Sequence, residues 1–298
     1  MSLPSLTVVI PAFNEEDTIE ATLAHVFAQA DDVTEIIVID NNSTDRTADL
    51  VRGLQSGQPA LQLIREERPG VTFARNSGLD AATSEIIARL DADTLAQPGW
   101  ARAVRTYFAT APDSVAAATG PLLPFDSPFR NAFAASNERL IAKTRAAAED
   151  GLAVTGLTMA PGGNMALRKS AWLAIRQAIS DRTDIHDDLD LSLCLRKSKF
   201  DIAFVLGMQA ETSARRFRTN PAAYWRYTNL LTHTYKAHDM AREARATRLE
   251  VWNNRLVHLV TWLPTRAYDP ATGRYSLRRV LAPEQDRIGG RVPAPSTT

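Results

Sequence analysis

The sequence predicts an α/β fold: a mostly parallel mixed sheet flanked by helices, followed by a helical C-terminal extension. Three observations carry this expectation. Short β-branched runs recur that are apolar at successive positions, as strands buried on both faces must be. Segments with helical spacing of apolar residues alternate with those runs. Beyond Pro221 the β-branched runs stop, and Trp, Tyr, His and Arg become frequent instead.

The elements follow in order. Residues 6–10 (LTVVI) form the first strand, ended by Pro11. Asn14 is placed to cap the next helix, and Glu15, Glu16 and Asp17 suit the positive end of its dipole. Ile19, Leu23, Val26, Phe27 and Ala30 then recur at helical spacing. Residues 35–39 (EIIVI) are the second strand, stopping at Asp40-Asn41-Asn42-Ser43. A helix is expected over 44–54, a third strand over 61–64, a helix over 71–82 and a fourth strand over 85–90, which runs into Asp91. After Pro98 come a helix near 100–108, a strand near 114–119, an Ala-rich helix around 133–148, a loop at 160–164 and a helix around 170–179. Residues 187–197 carry Leu at 189, 191, 193 and 195. That spacing is strand-like, but three acidic residues at the start and no internal turn former fit a buried helix equally well.

Residues 1–220 are therefore read as the catalytic unit, 221–282 as a helical extension, and 283–298, rich in Pro, Gly and Ser/Thr, as a disordered tail. A chain of 298 residues can bury an ordinary core. Its 45% hydrophobic and 23% charged residues place it among soluble globular proteins. The 34 basic residues balance 34 acidic ones, so no overall field draws nucleic acid or an anionic membrane. One cysteine, Cys194, excludes an intramolecular disulfide and suits a reducing cytoplasm. No signal peptide is expected ahead of the first strand, and no run of about 18 apolar residues exists to span a bilayer. The expected location is cytoplasmic, with peripheral contact at the inner face of a membrane left open.

Open α/β sheets bind ligands at the carboxyl ends of their strands. Here those ends carry Asn14 and Glu15, then Asp40 and Asn41, then Asp91 and Asp93. A carboxylate at such an end can accept hydrogen bonds from a base or ribose. Two carboxylates one residue apart can hold Mg²⁺ or Mn²⁺, which would neutralise a diphosphate leaving group. Taken singly, each Asp is as readily a turn former or a helix cap.

Their order decides between these readings. V-V-I-P-A-F-N-E-E-D-T-I (8–19), I-I-V-I-D-N-N-S-T-D-R-T (36–47), G-V-T-F-A-R-N-S-G-L-D-A-A (70–82) and L-D-A-D-T (90–94) together resemble family 2 glycosyltransferases, inverting enzymes with the Rossmann-like GT-A fold. The resemblance continues through G-G-N-M-A-L-R-K (162–169), H-D-D-L-D-L-S-L (186–193) and T-S-A-R-R-F (212–217). It implies a nucleoside-diphosphate-sugar donor and a saccharide, lipid-linked or small-molecule acceptor, with no role for nucleic acid. Pro11, Phe13 and Glu15 would line the base pocket, with Asp40 and Asn41 at the base edge and Arg75 near the diphosphate. Asp91 and Ala92 would face the ribose, Asp93 would be the direct metal ligand, and Asp91 would join its sphere. Gly162, Gly163 and Asn164 would shape the sugar and acceptor side. Asp188 would be the general base, with Asp187 as the alternative because Glu is usual at its position. Acidic neighbours at 187 and 190 are expected to raise the Asp188 pKa.

Other residues carry less. His186 reads as an exposed neighbour of a helix cap, His233 and His238 as ordinary polar positions, and Cys194 as a small buried hydrophobe. Arg215 and Arg216 suit phosphate contact and salt bridging equally. Tyr224, Trp225, Tyr227, Trp252 and Trp262 read as core ahead of an acceptor platform or a membrane belt.

The competing functions fit less well. A haloacid-dehalogenase-type phosphatase needs Thr where Leu95 stands. A nucleotidyltransferase needs a Gly-rich basic first loop, whereas P-A-F-N-E-E is acidic. No G-x-G-x-x-G follows any strand, which removes the dinucleotide oxidoreductases. A degenerate, binding-only protein of the same fold is the remaining alternative, and the retained Asp91, Asp93 and Asp188 argue against it.

Overall fold

The computed structural model describes residues 2–58, 60–148 and 153–281. The tail expected over 283–298 lies outside the described residues. In chain order the strands are β1 (Leu6–Ala12), β2 (Glu35–Asp40), β3 (Leu61–Arg65), β4 (Ile86–Leu90), β5 (Thr94–Ala96), β6 (Val115–Thr119), β7 (Leu122–Pro124), β8 (Ala153–Val154), β9 (Asn164–Arg168), β10 (Asp201–Val205) and β11 (Ala210–Thr212), with a small pair β12 (Tyr268–Asp269) and β13 (Arg274–Tyr275) near the end. The helices are α1 (Ile19–Phe27), α2 (Thr47–Gln55), α3 (Val71–Ala81), α4 (Trp100–Thr110), α5 (Arg130–Ala147), α6 (Lys169–Ile175), α7 (Asp187–Lys197), α8 (Arg215–Arg218), α9 (Pro221–Ala237), α10 (Ala241–Ala267) and α11 (Leu277–Leu281).

Among the described residues the main sheet has the order β3-β2-β1-β4-β9-β6-β10-β8. Its first four strands are parallel, as their apolar runs predict. β9 enters antiparallel between β4 and β6, which makes the sheet mixed. The expected loop at 160–164 therefore ends one residue early, because Asn164 opens this strand. Both faces of β1 and β2 are covered. Leu6, Val8, Ile10, Ile36 and Val38 join one apolar cluster, while Val9, Ile37 and Ile39 join another across the sheet. A second sheet, β5-β11-β7, holds the chain just beyond Asp93.

α3 lies so close to the sheet that a Cβ on Gly78 would run into Val9 Cγ1 and come within 3.1 Å of Ile39 Cγ1. Gly78→Ala is therefore expected to destabilise the protein by about 1–3 kcal/mol through overpacking, read by urea unfolding.

Residues 187–197 are helical, and the Leu alternation has a simple cause. α7 is buried at every position from Asp188 to Leu195, so its apolar residues need no single face. Asn14 does not cap α1. It takes a left-handed conformation (φ 54°), and its Oδ1 accepts from the Thr44 amide at 2.8 Å, tying the loop after β1 to the loop after β2. The cap position of α1 belongs to Thr18. The aromatic residues of the extension divide. Tyr224 and Tyr227 turn inward, while Trp225 and Trp252 are 39% and 58% exposed, against the expectation that they are core.

Candidate functional site

Two clefts open at the carboxyl ends of β1, β2 and β4. The smaller, of about 400 Å³, is lined by Pro11, Phe13, Glu15, Asn41, Arg75 and Ala92, together with Asp91. Phe13 stands exposed at its mouth. Asn41 shapes this cleft through the backbone. Its Nδ2 donates to the carbonyls of Glu66 and Arg68 at 2.9 and 2.7 Å, and its Oδ1 accepts from the Gly70 amide at 2.8 Å. Asp40 lies beneath, buried, and accepts from the Ser43 amide at 3.3 Å rather than lining the wall. The larger cleft, of about 650 Å³, is lined by Asp91, Asp93, Gly162, Gly163, His186 and Asp188, and by residues of α8 and α9. Of the described residues, Asp91, Arg215 and Arg216 line both clefts.

The residues predicted from distant parts of the chain thus converge, and arginines join them. Arg75 Nη2 lies 3.0 Å from Asp91 Oδ1, and its Nη1 lies 3.3 Å from Asp188 Oδ1 and also pairs with Asp187. Arg89, on β4, pairs with Asp188 and donates from Nε to the Gly162 carbonyl at 3.2 Å. The Gly162 amide donates to Asp188 Oδ2 at 2.8 Å. A Cβ at Gly162 would collide with both the Arg89 guanidinium and the Asp188 carboxylate, so only glycine fits there. A Cβ on Gly163 would sit 3.2 Å from Asp91 Oδ2, so glycine keeps clearance there as well.

The expected rise in the Asp188 pKa does not occur. Burial alone would push its carboxyl up, but Arg89 and Arg75 outweigh that and hold it well below the usual carboxylate range. The like charges at 187 and 190 lose to the arginines, partly because Asp190 points instead to His238 Nε2, 2.7 Å away.

Asp93 goes the other way. Burial, with Asp91 and Glu15 nearby, pushes its carboxyl up to about 7 in spite of Arg215. Arg215 Nε lies 2.8 Å from Asp93 Oδ2, and its two Nη atoms reach Glu15 at 2.7 and 2.6 Å. Salt bridging is therefore the state of Arg215. Its neighbour Arg216 lies over the Tyr227 ring, 4.1 Å from the centroid. Asp91 pairs with Arg75, and Glu15 and Asp93 share Arg215, while Asp91 and Asp93 both present carboxylate oxygens to the larger cleft. That donor chemistry fits a hard divalent cation completed by phosphate oxygens.

Two assignments change on the structure. His186 is buried, not exposed: its amide donates to Thr234 Oγ1 at 2.8 Å, and its Nε2 lies 2.9 Å from the Tyr227 hydroxyl. Asn164 faces away from the cleft. It is fully buried, its Oδ1 accepts from Trp100 Nε1 at 2.8 Å, and its Nδ2 donates to the carbonyls of Pro121 and Met208 at 3.2 and 2.7 Å. Asn164→Ala is expected to cost about 2–4 kcal/mol by stranding those buried groups, with the acceptor KM unchanged. Denaturant unfolding beside steady-state kinetics checks both halves.

Arg89 is not singled out by the sequence, whereas Arg216 reads as suiting phosphate contact or salt bridging, and Tyr227 as core ahead of an acceptor platform. Arg89 had a signal: a charged residue inside a strand buried on both faces requires a buried partner. For Arg216 and Tyr227 the sequence does not choose between its readings, because α8 and α9 reach the cleft only through the tertiary fold.

The family model for glycosyl transferase family 2 matches residues 7–172. Glycosyltransferase AglE of Haloferax volcanii is 34% identical over 118 residues, 38% of this chain and 39% of that protein. The poly-beta-1,6-N-acetyl-D-glucosamine synthase of Staphylococcus aureus strain MSSA476 is 34% identical over 93 residues, 31% of this chain and 23% of that protein. The matched stretch thus spans less than half the length of either curated relative. Among solved structures, the mannosyltransferase PcManGT from Pyrobaculum calidifontis in complex with GDP-Man and Mn²⁺ superposes with a TM-score of 0.61 at 22% identity, over 94% of this chain and 78% of that one. GalNAc-T7 with UDP, GalNAc and Mn²⁺ gives 0.54 at 14% identity, over 71% of this chain and 43% of that one. At these identities the likeness is one of fold.

Proposed function

The chain belongs to glycosyl transferase family 2, and on that premise we propose that it moves a sugar from a nucleoside-diphosphate donor to an acceptor hydroxyl in one inverting step. The observation that carries this reading is the sharing of Asp91, Arg215 and Arg216 by two clefts, only one of which contains Asp188. The nucleoside lies in the smaller cleft against Pro11 and Phe13, with its ribose toward Asp91 and Ala92. The diphosphate crosses the junction beside Arg215. The sugar, a hexose in this reading, rests over Gly162 and Gly163, and a saccharide, lipid-linked or small-molecule acceptor enters the larger cleft from the side of Tyr227.

Inversion needs a base on the face of the sugar opposite the leaving group. We assign that role to Asp188, whose orientation Arg89, Arg75 and the Gly162 amide fix. Its depressed pKa keeps the carboxylate ionised at any ordinary pH, and the same arginines lower its basicity. A divalent cation held by Asp93 and Asp91 would neutralise charge on the departing diphosphate. A relative of the same fold that binds GDP-Man and Mn²⁺ supports the donor class and the cation. The division of labour between residues 1–220 and the helical extension is part of the same proposal.

A screen of UDP-, GDP- and dTDP-sugars by thermal shift, with and without Mn²⁺, tests it. One donor class should raise the Tm, and should do so chiefly with metal. No shift from any donor would contradict the proposal. A binding-only reading is favoured by one feature, the arginine partners of Asp91, Asp93 and Asp188. Donor stabilisation without donor consumption would establish that reading.

A further inference from the structure

Helix α10 buries Ala244, Thr247, Val251, His258 and Thr265 along one side. The opposite side carries Leu249, Trp252, Leu256, Leu259, Val260 and Leu263, each at least half exposed. An amphipathic surface helix places polar residues there instead. Scattered exposed hydrophobics need no explanation, but a continuous stripe about 21 Å long does. One turn earlier the same side presents Arg242, Arg245 and Arg248, all exposed. No acidic residue occurs from 251 to 268. α11 extends the surface with Leu277 and Leu281, more than 80% exposed, and is joined to α10 through Arg266 Nε donating to the Val280 carbonyl at 2.8 Å. Beside the stripe the Trp225 and Trp252 rings meet edge to face at 5.9 Å. Arg255 lies 5.2 and 5.6 Å from their centroids.

The balanced net charge conceals a division. Residues 221–281 hold ten Lys and Arg against four Asp and Glu, whereas residues 1–220 hold 22 against 28. The absence of an overall field holds for the whole chain, while the extension carries a local positive excess.

We propose that the outer side of α10, with α11, lies in the interface of an anionic phospholipid bilayer. Its Leu, Val and Trp side chains insert among the acyl chains, and its arginines lie among the phosphates. No described helix is long and apolar enough to cross a membrane, so the contact lies in the plane of the interface. Self-association through this side would bring two units of like positive charge together, which favours the bilayer as occupant.

Flotation of the full chain with phosphatidylcholine–phosphatidylglycerol vesicles, and with phosphatidylcholine alone, tests the assignment. The protein should float with the anionic vesicles only, and high salt should release it. Arg245→Glu with Arg248→Glu should lower partitioning by at least about tenfold. Leu256→Glu with Val260→Glu should abolish flotation at an unchanged Tm, because both side chains are exposed. A wild-type chain that stays unbound to anionic vesicles overturns the proposal, and equal flotation with neutral vesicles overturns the anionic assignment. A solution dimer that Leu256→Glu with Val260→Glu disperses would give this surface to a second copy instead.

Discussion

Asp188→Asn is expected to lower kcat by a factor of about 10²–10⁴ while donor affinity stays within about twofold. The amide keeps the shape of the carboxylate and can still accept from the Gly162 amide, so the floor of the larger cleft persists. It cannot take the acceptor proton. The substitution also carries a structural cost, because Arg89 is 2% exposed and would lose its carboxylate. Removing one partner of a buried ion pair costs about 3–5 kcal/mol, so the Tm should fall and kinetics must be read below it. Donor binding then reports that the measured population is folded.

The pH dependence separates these effects. The folded-state pKa of Asp188 is depressed by Arg89 and Arg75, so its contribution to stability is complete above the ordinary carboxylate value. That contribution is lost only as pH falls through the lower folded-state value. Wild type should therefore show an acid limb in its stability curve that Asp188→Asn flattens. Asp187→Asn, which removes a partner of Arg75 alone, should leave most of kcat. A larger loss there than at Asp188 would transfer the base to Asp187.

The second large effect is expected at Asp93. Asp93→Asn should abolish the metal-dependent part of donor stabilisation, so that adding Mn²⁺ no longer changes the donor's thermal shift. At a hundredfold excess of donor over Kd the linked stability lost is about 3 kcal/mol. The free protein should hardly respond. Burial and the nearby Asp91 and Glu15 already push this carboxyl up to about 7, so a neutral amide is well tolerated. Arg215 retains both contacts to Glu15 and remains in place. Undiminished Mn²⁺ dependence in Asp93→Asn would remove Asp93 from the metal sphere.

The parallel half of the sheet was legible because its strands are continuous apolar runs, and such runs follow directly from burial on both faces. The short strands were not. Thr94–Ala96, Leu122–Pro124 and Ala210–Thr212 have three residues each, too few to show a period, and they exist because they pair with one another. β9 escaped because Asn164 reads as a loop residue, whereas its amide is consumed by Trp100, Pro121 and Met208. At the site, sequence order brought Glu15, Asp91, Asp93 and Asp188 into one expectation, and they do converge. The arginines that set their charge states were less legible: Arg75 was expected near the diphosphate rather than on Asp91 and Asp188, and Arg89 lies outside the quoted motifs. Direction of pKa shift is a three-dimensional property: the same acidic neighbours that suggested a raised pKa at Asp188 are outweighed by Arg89, on a different strand.

One-step inversion across the junction of the two clefts dictates the anomer of the product. It is tested most directly by ¹H NMR of the sugar that the enzyme transfers, or slowly releases to water, from an α-linked donor identified by the thermal screen. The β anomer should appear first, before mutarotation, and its formation should disappear in Asp188→Asn. First appearance of the α anomer would contradict inversion, and with it the role given to Asp188.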